Sequence, residues 1–212
     1  MQYFIKRLLD IIASFVGIVL LLPFFLLSAA AIKLDDSGPV FFRQERTGQN
    51  RRIFKIFKFR TMVQDAEKKG AGVFVEMDDP RITRVGKFLR RTSLDELPQL
   101  FNIFKGDMSL VGPRPTLAYQ VEKYNERQLQ RLSVKPGITG WAQVHGRSAL
   151  TWPERIELDL WYIDNWSFLL DIKILIKTLG VVLGKKNLYK PVGYDPISGE
   201  MKSLNADKDD EG

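Results

Sequence analysis

The chain has 212 residues, 27% of them charged and 45% hydrophobic, which bounds it to one domain of ordinary size with a small appendage and excludes global disorder. It contains no cysteine and a single histidine, so disulfide frameworks, thiolate metal sites and Cys–His nucleophilic pairs are excluded. The net charge of +7 understates the basicity of the folded part: Val192 to Gly212 carries two lysines against six acids, and removing that −4 leaves +11 on residues 1–191, a field that calls for an anionic partner.

The opening M-Q-Y-F-I-K-R-L-L-D leads into an uncharged, mostly apolar run from Ile11 to Ile32. Its length, about 22 residues, suffices to cross a hydrocarbon core if straight. Pro23 sits near the middle, where it removes a helix hydrogen bond and crowds the preceding turn, so a break is expected there. Three readings stand side by side. A cleaved signal peptide is suggested by the basic start and by Ala29, Ala30 and Ala31, although Asp10 and the length of the run argue against it. The others are a spanning anchor and a helix bent at Pro23 that returns to the face it entered from. Lys6 and Arg7 on one flank and Lys33 on the other give no positive-inside direction.

Val40 to Arg43 and Arg51 to Arg60 are β-prone runs around Arg46, Thr47, Gly48, Gln49 and Asn50, the pattern of a hairpin or a longer turn. Alternation puts Phe54, Ile56, Lys58 and Arg60 on one face of the second run. Two like charges so placed call for an anion between them, or else mark a solvated strand edge. Val63 to Arg81 is polar, with Gly70, Gly72 and Asp79-Pro80 as loop signals. Arg81 to Arg91 reads as a short basic helix on which several of Arg84, Lys87, Arg90 and Arg91 share a side, facing either solvent or phosphate.

The densest cluster of charge runs from Arg90 to Pro115. Ser93, Leu94, Asp95, Glu96 has the S-x-x-E capping-box pattern, and the helix is expected to begin near Leu94 or Asp95, because Pro98 is tolerated only in a first turn. A helix mouth also suits phosphate. With no cysteine and only His145 in the chain, covalent chemistry here falls most simply to a carboxylate. Gly112-Pro113-Arg114-Pro115 reads as a rigid turn that holds Arg114 in place. Tyr119 to Arg131 has helical spacing and is read as scaffolding. Lys135 to Arg147 is glycine-rich around Ile138, Trp141 and Val144, so its backbone could approach a ligand, with Arg147 as a phosphate fork at its end. His145 reads as a surface residue.

Thr151 to Asn165 combines Trp152, Trp161 and Tyr162 with Glu157, Asp159 and Asp164. Trp166 to Lys186 is apolar, but Asp171, Lys173 and Lys177 inside it make a spanning helix expensive. An interfacial amphipathic helix fits better. Beyond Tyr189 the chain is polar, acidic and expected to be disordered.

The runs S-L-D-E-L-P-Q-L-F-N, K-G-D-M-S-L-V-G-P-R-P and K-P-G-I-T-G-W-A-Q-V-H-G-R together resemble the bacterial sugar transferase family, the monotopic phosphoglycosyl transferases, and the resemblance extends from Lys6 to about Lys186. It implies a mixed α/β fold. Residues 1–34 would form a re-entrant membrane helix with the K-R-x-x-D opening at Lys6, Arg7 and Asp10 and a bend at Pro23. Residues 35–190 would form a compact membrane-surface catalytic domain with interfacial amphipathic helices, and 191–212 a polar tail. The implied reaction moves a sugar phosphate from a nucleoside diphosphate sugar, a UDP-sugar foremost, to polyprenyl phosphate through a covalent aspartyl intermediate, at the start of glycoconjugate or polysaccharide synthesis.

On that resemblance Asp95 and Glu96 are catalytic, with Asp95 the nucleophile and Glu96 helping to hold Mg²⁺. Lys58 and Arg60 of the K-F-R-T-M segment, with Arg90, Arg114 and Arg147, offset phosphate charge. Asp159 matches the acidic residue of the family's E-L-D-x-x-Y stretch and helps complete the site. Many relatives carry asparagine where His145 stands. The implied partners are the nucleotide sugar, polyprenyl phosphate and membrane lipid, without nucleic acid and with room for a homodimer; the implied location is the inner membrane, facing the cytoplasm. The rival from another class is a membrane-tethered basic module that binds anionic lipid or nucleic acid without turnover, with Asp95–Glu96 a mere helix cap. Such a module would respond steeply to salt and release no nucleotide.

Overall fold

The N-terminal run folds within one long helix, α1 (Gln2–Asp35), which continues through Pro23, where a break is expected from the sequence. The computed structural model describes residues 2–66, 79–146 and 150–184. The buried residues of α1, Asp10, Ser14, Phe25, Ser28 and Ile32, fall on a narrow stripe, while Phe4, Leu20, Leu27 and Leu34 are exposed. A helix in water shows the reverse, an apolar stripe turned inward and polar residues outward.

Two strands follow, β1 (Phe41–Thr47) and β2 (Ile53–Phe59), paired antiparallel in register from Phe41 opposite Phe59 to Thr47 opposite Ile53. The connection is tighter than the sequence suggests: Arg46 and Thr47 are strand residues, and a 3₁₀ turn, Gln49–Arg51, closes the hairpin. Asn50 and Arg51 take left-handed conformations there, at φ 53° and 62°. Helix α2 (Arg84–Arg91) starts later than Arg81, at an N-cap where the Thr83 hydroxyl accepts from the Gly86 N–H. Arg81 is buried instead, 2.6 Å from Asp79. A Cβ on Gly86 would come within 2.0 Å of the Thr61 carbonyl oxygen, so glycine lets α2 lie directly on the chain leaving β2.

Helix α3 (Gln99–Lys105) ends at Gly106, whose φ of 102° suits a left-handed C-cap. Strand β3 (Ser109–Val111) leads to two short helices, α4 (Ala118–Val121) and α5 (Glu126–Leu129), in place of the single helix expected from Tyr119 to Arg131. Strand β4 (Gly137–Thr139) pairs parallel with β3, and α6 (Trp141–His145), α7 (Trp152–Asp164) and α8 (Phe168–Gly184) complete the described chain. The mixed α/β fold expected from the sequence is present. Arg147, Gly70, Gly72 and the tail 191–212 lie outside the described residues.

The main core gathers Phe54, Ile56 and Phe59 of β2, Leu100 and Ile103 of α3, and Phe25 and Ile32 of α1. The N-terminal helix therefore shares its core with the rest of the chain. Lys6, Arg7 and Asp10 do not pair with one another. Lys6 pairs with Asp171 of α8 and donates to the Val111 carbonyl at 3.1 Å. Arg7 caps the C-terminal end of α3 by donating to the carbonyls of Ile103 at 2.6 Å and Phe104 at 2.9 Å, where a cation meets the negative end of the helix dipole. Asp10 accepts the Leu110 N–H at 2.9 Å. At the other end of α1, Asp35 accepts from Val85 N–H at 2.8 Å. On α8, Leu170, Asp171 and Ile174 face inward, and Leu169, Ile172, Ile176 and Leu179 face out.

Candidate active site

Asp95 and Glu96 lie in a 3₁₀ turn, Leu94–Glu96, entered from Ser93 in the left-handed conformation at φ 58°. Ser93 makes no side-chain capping bond to this turn, and α3 begins only at Gln99 with Pro98 as its N-cap residue. The capping box read from S-x-x-E is therefore absent, so the paired carboxylates are not a cap of the kind expected there. Among the described residues, side-chain reciprocal caps form elsewhere, at Thr151 with Glu154 and at Asn125 with Gln128.

Three separate parts of the fold meet at Glu96. Lys58 comes from β2, Arg114 from the turn after β3, and Glu96 itself from the link between α2 and α3. The Lys58 ammonium donates to Glu96 Oε1 at 2.8 Å, and the Arg114 guanidinium forks onto both carboxylate oxygens, at 2.6 Å to Oε1 and 3.3 Å to Oε2. Burial would raise the Glu96 carboxyl, but Arg114 and Lys58 outweigh it and hold the group well below the usual carboxylate range. Asp95 goes the other way, pushed up to about 6 by burial and by the adjacent Glu96 charge against the pull of Lys58, Arg90 and Arg114. Two neighbouring carboxyls thus have opposed acidities, the arrangement in which one group fixes charge and the other changes it.

Of the other residues singled out from the sequence, Arg90 lies close enough to act on Asp95 electrostatically while its Nε donates to Thr61 Oγ1 at 2.7 Å. Arg60 turns elsewhere: it is buried, paired with Asp36 at 2.7 Å and bonded to the Asp36 carbonyl at 2.5 Å, so it secures the end of α1. Lys58 and Arg60 do not hold one anion between them. Asp159 is also absent from the carboxylate cluster. It is 1% exposed and accepts from Arg131 Nε at 2.6 Å, while Arg131 Nη2 donates to the Arg114 carbonyl at 2.8 Å. His145 meets the Trp141 carbonyl at 2.8 Å and Lys177 at 2.9 Å.

The glycine-rich stretch serves packing more than ligand approach. A Cβ on Gly137 would lie 2.1 Å from Gly112 N, and one on Gly140 would lie 2.2 Å from Gly112 O. The backbone pairs there, Gly112 N–H donating to Thr139 O and Gly137 N–H to Pro113 O, each at 2.9 Å. This contact fixes the turn that carries Arg114. Arg131 is the residue that sequence reasoning missed. At the end of a polar stretch it looks like any solvent-facing arginine, and no local signal separates it from its neighbours.

A profile of the family described as bacterial sugar transferase matches residues 1–185. The chain belongs to the bacterial sugar transferase family. Its relatives include an uncharacterized sugar transferase, EpsL, of Bacillus subtilis (strain 168), 46% identical over 179 residues, which are 84% of this chain and 87% of that protein. A UDP-N-acetylgalactosamine-undecaprenyl-phosphate N-acetylgalactosaminephosphotransferase of Aeromonas hydrophila is 46% identical over 186 residues, 85% of this chain and 44% of that one. A UDP-glucose:undecaprenyl-phosphate glucose-1-phosphate transferase of Xanthomonas campestris pv. campestris is 46% identical over 198 residues, 89% of this chain and 41% of that one. The chain thus spans most of the Bacillus protein but less than half the length of the other two.

For a family member expected to use Mg²⁺, the donor set is informative. Among the described residues no group of three or more His, Asp or Glu side chains assembles around a common point. Mg²⁺ favours one or two carboxylates completed by water and substrate phosphate over an all-protein cage. Asp95–Glu96, with one Glu96 oxygen held only by a 3.3 Å bond, fits that limited contribution.

Proposed function

We propose that this sugar transferase family member moves a sugar phosphate from a nucleoside diphosphate sugar, of the UDP class, to polyprenyl phosphate at the start of polysaccharide or glycoconjugate synthesis. The single observation that carries the reading is the meeting of three parts of the fold at the paired carboxyls: Lys58 and Arg114 donate to Glu96 at 2.8 and 2.6 Å, and Asp95 stands beside it with Lys58, Arg90 and Arg114 close enough to act on its charge. A carboxylate is a competent nucleophile toward phosphorus when cations beside it offset the repulsion of phosphate oxygens. The relatives named as undecaprenyl-phosphate phosphotransferases support the same donor and acceptor classes.

In the first step an Asp95 oxygen forms a bond to the β-phosphorus of the nucleotide sugar. The bond from that phosphorus to the bridging oxygen breaks, and nucleoside monophosphate leaves with the electron pair. In the second, a phosphate oxygen of the polyprenyl phosphate attacks the phosphorus of the aspartyl phosphosugar, releasing Asp95 as carboxylate and yielding the polyprenyl diphosphate sugar. Arg114, Lys58 and Arg90 supply positive charge along the path of the phosphoryl group. Glu96, with Asp95, would help to hold Mg²⁺, which when bound neutralises phosphate charge and stabilises the leaving group. Arg147, outside the described residues, belongs to this reading only through its motif.

The same reading makes the protein monotopic on the cytoplasmic face of the inner membrane, with α1 re-entrant and bent at Pro23. In its support, both ends of α1 bond to the same domain, through Lys6 to Asp171 and through Asp35 to Val85. The outward apolar faces of α1 and α8 offer the surface that would enter lipid, as an interfacial helix requires. The test is release of nucleoside monophosphate from a panel of nucleotide sugars by purified protein with polyprenyl phosphate and Mg²⁺. Turnover with at least one UDP-sugar is expected, and a phosphosugar adduct should form on Asp95 when acceptor is withheld. No release from any donor, with salt-sensitive binding to anionic vesicles alone, would overturn the reading in favour of a binding module.

A further inference from the structure

A buried chain of polar contacts leads from α7 to the turn that carries Arg114. Arg131 is 3% exposed, and each part of its guanidinium has a partner. Nε donates to Asp159 Oδ2 at 2.6 Å, Nη1 to the Tyr124 hydroxyl at 2.8 Å, and Nη2 to the Arg114 main-chain carbonyl at 2.8 Å. The group also lies 5.4 Å from the centre of the Trp152 ring. A planar fork so engaged has little freedom to rotate.

Arg114 differs in kind. Its side chain is 43% exposed, and a long exposed arginine populates many rotamers unless its backbone is fixed. Here the backbone is fixed from several directions. Pro113 and Pro115 restrict φ on either side. The flanking residues are anchored by Gly112 N–H to Thr139 O at 2.9 Å and by Thr47 N–H to Thr116 O at 2.8 Å. The Arg114 carbonyl itself is drawn inward by Arg131, which leaves the side chain directed to the Glu96 carboxylate.

We propose that Arg131, oriented by Asp159, is a positioning residue for the transfer reaction: by holding the Arg114 carbonyl it sets where the Arg114 guanidinium meets Glu96 and the transferring phosphate, without touching substrate itself. This rests on the function proposed above, and it lets Asp159 help complete the site through Arg131 and not from within the carboxylate cluster. It also explains why a fully buried ion pair, Arg131 with Asp159, lies directly beneath an arginine whose own side chain is 43% exposed. A buried pair is weak as a source of stability, but a good way to fix one geometry.

The experiment combines structure with kinetics on the full chain in detergent or nanodiscs. Arg131→Lys keeps the charge but cannot bond Asp159, Tyr124 and the Arg114 carbonyl together, and Asp159→Asn keeps shape but loosens the fork. Structures of both variants should show the Arg114–Glu96 pair open beyond the 2.6 Å contact. An unchanged pair in both would overturn the proposal whether or not any nucleotide sugar is turned over. In kinetics corrected for active-site content by adduct stoichiometry, Arg131→Lys should lower kcat on the order of tenfold to a hundredfold, with KM for the donor changed by less than about threefold, the pattern for an interaction made in the transition state. Adding Arg131→Lys to Arg114→Gln should cost less than about twofold further, because the two act as one unit. Additive losses, or a loss that vanishes on correcting for active-site content, would make Arg131 a folding residue only. If the wild type turns over and these results appear, the catalytic reading stands and the positioning role falls. If the wild type fails with every donor, the catalytic reading falls and the two structures alone decide the positioning role.

Discussion

Asp95 and Glu96 are separated by one peptide bond, but Lys58 and Arg114 both donate to Glu96, so burial and Glu96's own charge are left to act on Asp95. If Asp95 is the nucleophile, Asp95→Asn should reduce turnover at least about a thousandfold, the scale typical of nucleophile removal; nucleotide release measures it, and more than about a hundredth of the activity surviving would remove that role. The same substitution should stabilise the metal-free protein at neutral pH. Asp95 has its folded-state value raised to about 6, so its contribution to stability is fully present below the ordinary carboxyl range and is lost as pH rises through about 6. The ionised group then destabilises the folded state. Thermal unfolding should show Asp95→Asn melting higher than wild type at pH 7.5, with the gap closing as pH falls from 6 toward 4; an unchanged gap would show that Asp95 titrates normally. Glu96→Gln removes the charge that raises Asp95 and frees Lys58 and Arg114 to turn toward it, so an infrared titration of the Asp95 carboxyl should move below 6. Asp95, Glu96 and Arg114 are placed in one site by the family resemblance, and the structure brings Arg114 onto Glu96. The fates of Arg60 and Asp159 were not legible in the sequence: charge type and alternation show which face a side chain shares, but not that Asp36, distant in sequence, is waiting for Arg60.

Among the elements, those with a strong local period were readable and those made by chain crossing were not. The apolar run, the β1–β2 hairpin and α8 follow from hydrophobicity, alternation and turn residues. The parallel β3–β4 pair is invisible in the sequence, because each strand has only three residues and its partner lies beyond two intervening short helices. Its glycines read as ligand-binding because an unpaired glycine loop and a glycine-to-glycine backbone contact have the same composition. Substitution separates them. Gly137→Ala places a Cβ 2.1 Å from Gly112 N and 2.4 Å from Thr139 O, both backbone atoms that cannot swing away. It should destabilise by about 2–4 kcal/mol and reduce activity through displacement of the Arg114 turn. Gly180→Ala in α8, where no atom lies within 4 Å of the new methyl, should instead be neutral or stabilise by roughly 0.5–1 kcal/mol through helix propensity. Thermal unfolding of the two variants side by side is the measurement, and equal effects would mean that the 112–140 contact is loose.

At the scale of the whole molecule, the question is how a helix of 34 residues, about 51 Å at 1.5 Å per residue, sits against a hydrocarbon core only about 30 Å thick. A spanning helix would deliver its two ends to opposite faces. Here Lys6 pairs with Asp171 and Arg7 caps α3, while Asp35 and Asp36 bond to Val85 and Arg60, so charged groups at both ends are satisfied by one domain. Carrying either set of pairs through lipid would strand ionised partners at a cost of several kcal/mol each. The re-entrant helix proposed above would keep both sets of pairs intact, with Pro23 as the residue to accommodate a change of direction, since it has no N–H to give the preceding turn. Gln2 and Ser37 are both exposed, one at each end, and the chain contains no native cysteine. On the proposed re-entrant, cytoplasm-facing placement, single cysteines at these two positions should both react with a membrane-impermeant thiol reagent added to inverted vesicles, and neither should react in right-side-out vesicles. Pro23→Leu, which favours a straight helix, should shift part of the Gln2 population to the opposite face while the Ser37 position keeps its own. Labelling of the wild-type Gln2 position exclusively from outside would establish a spanning helix and require the Lys6–Asp171 pair to be broken in the membrane.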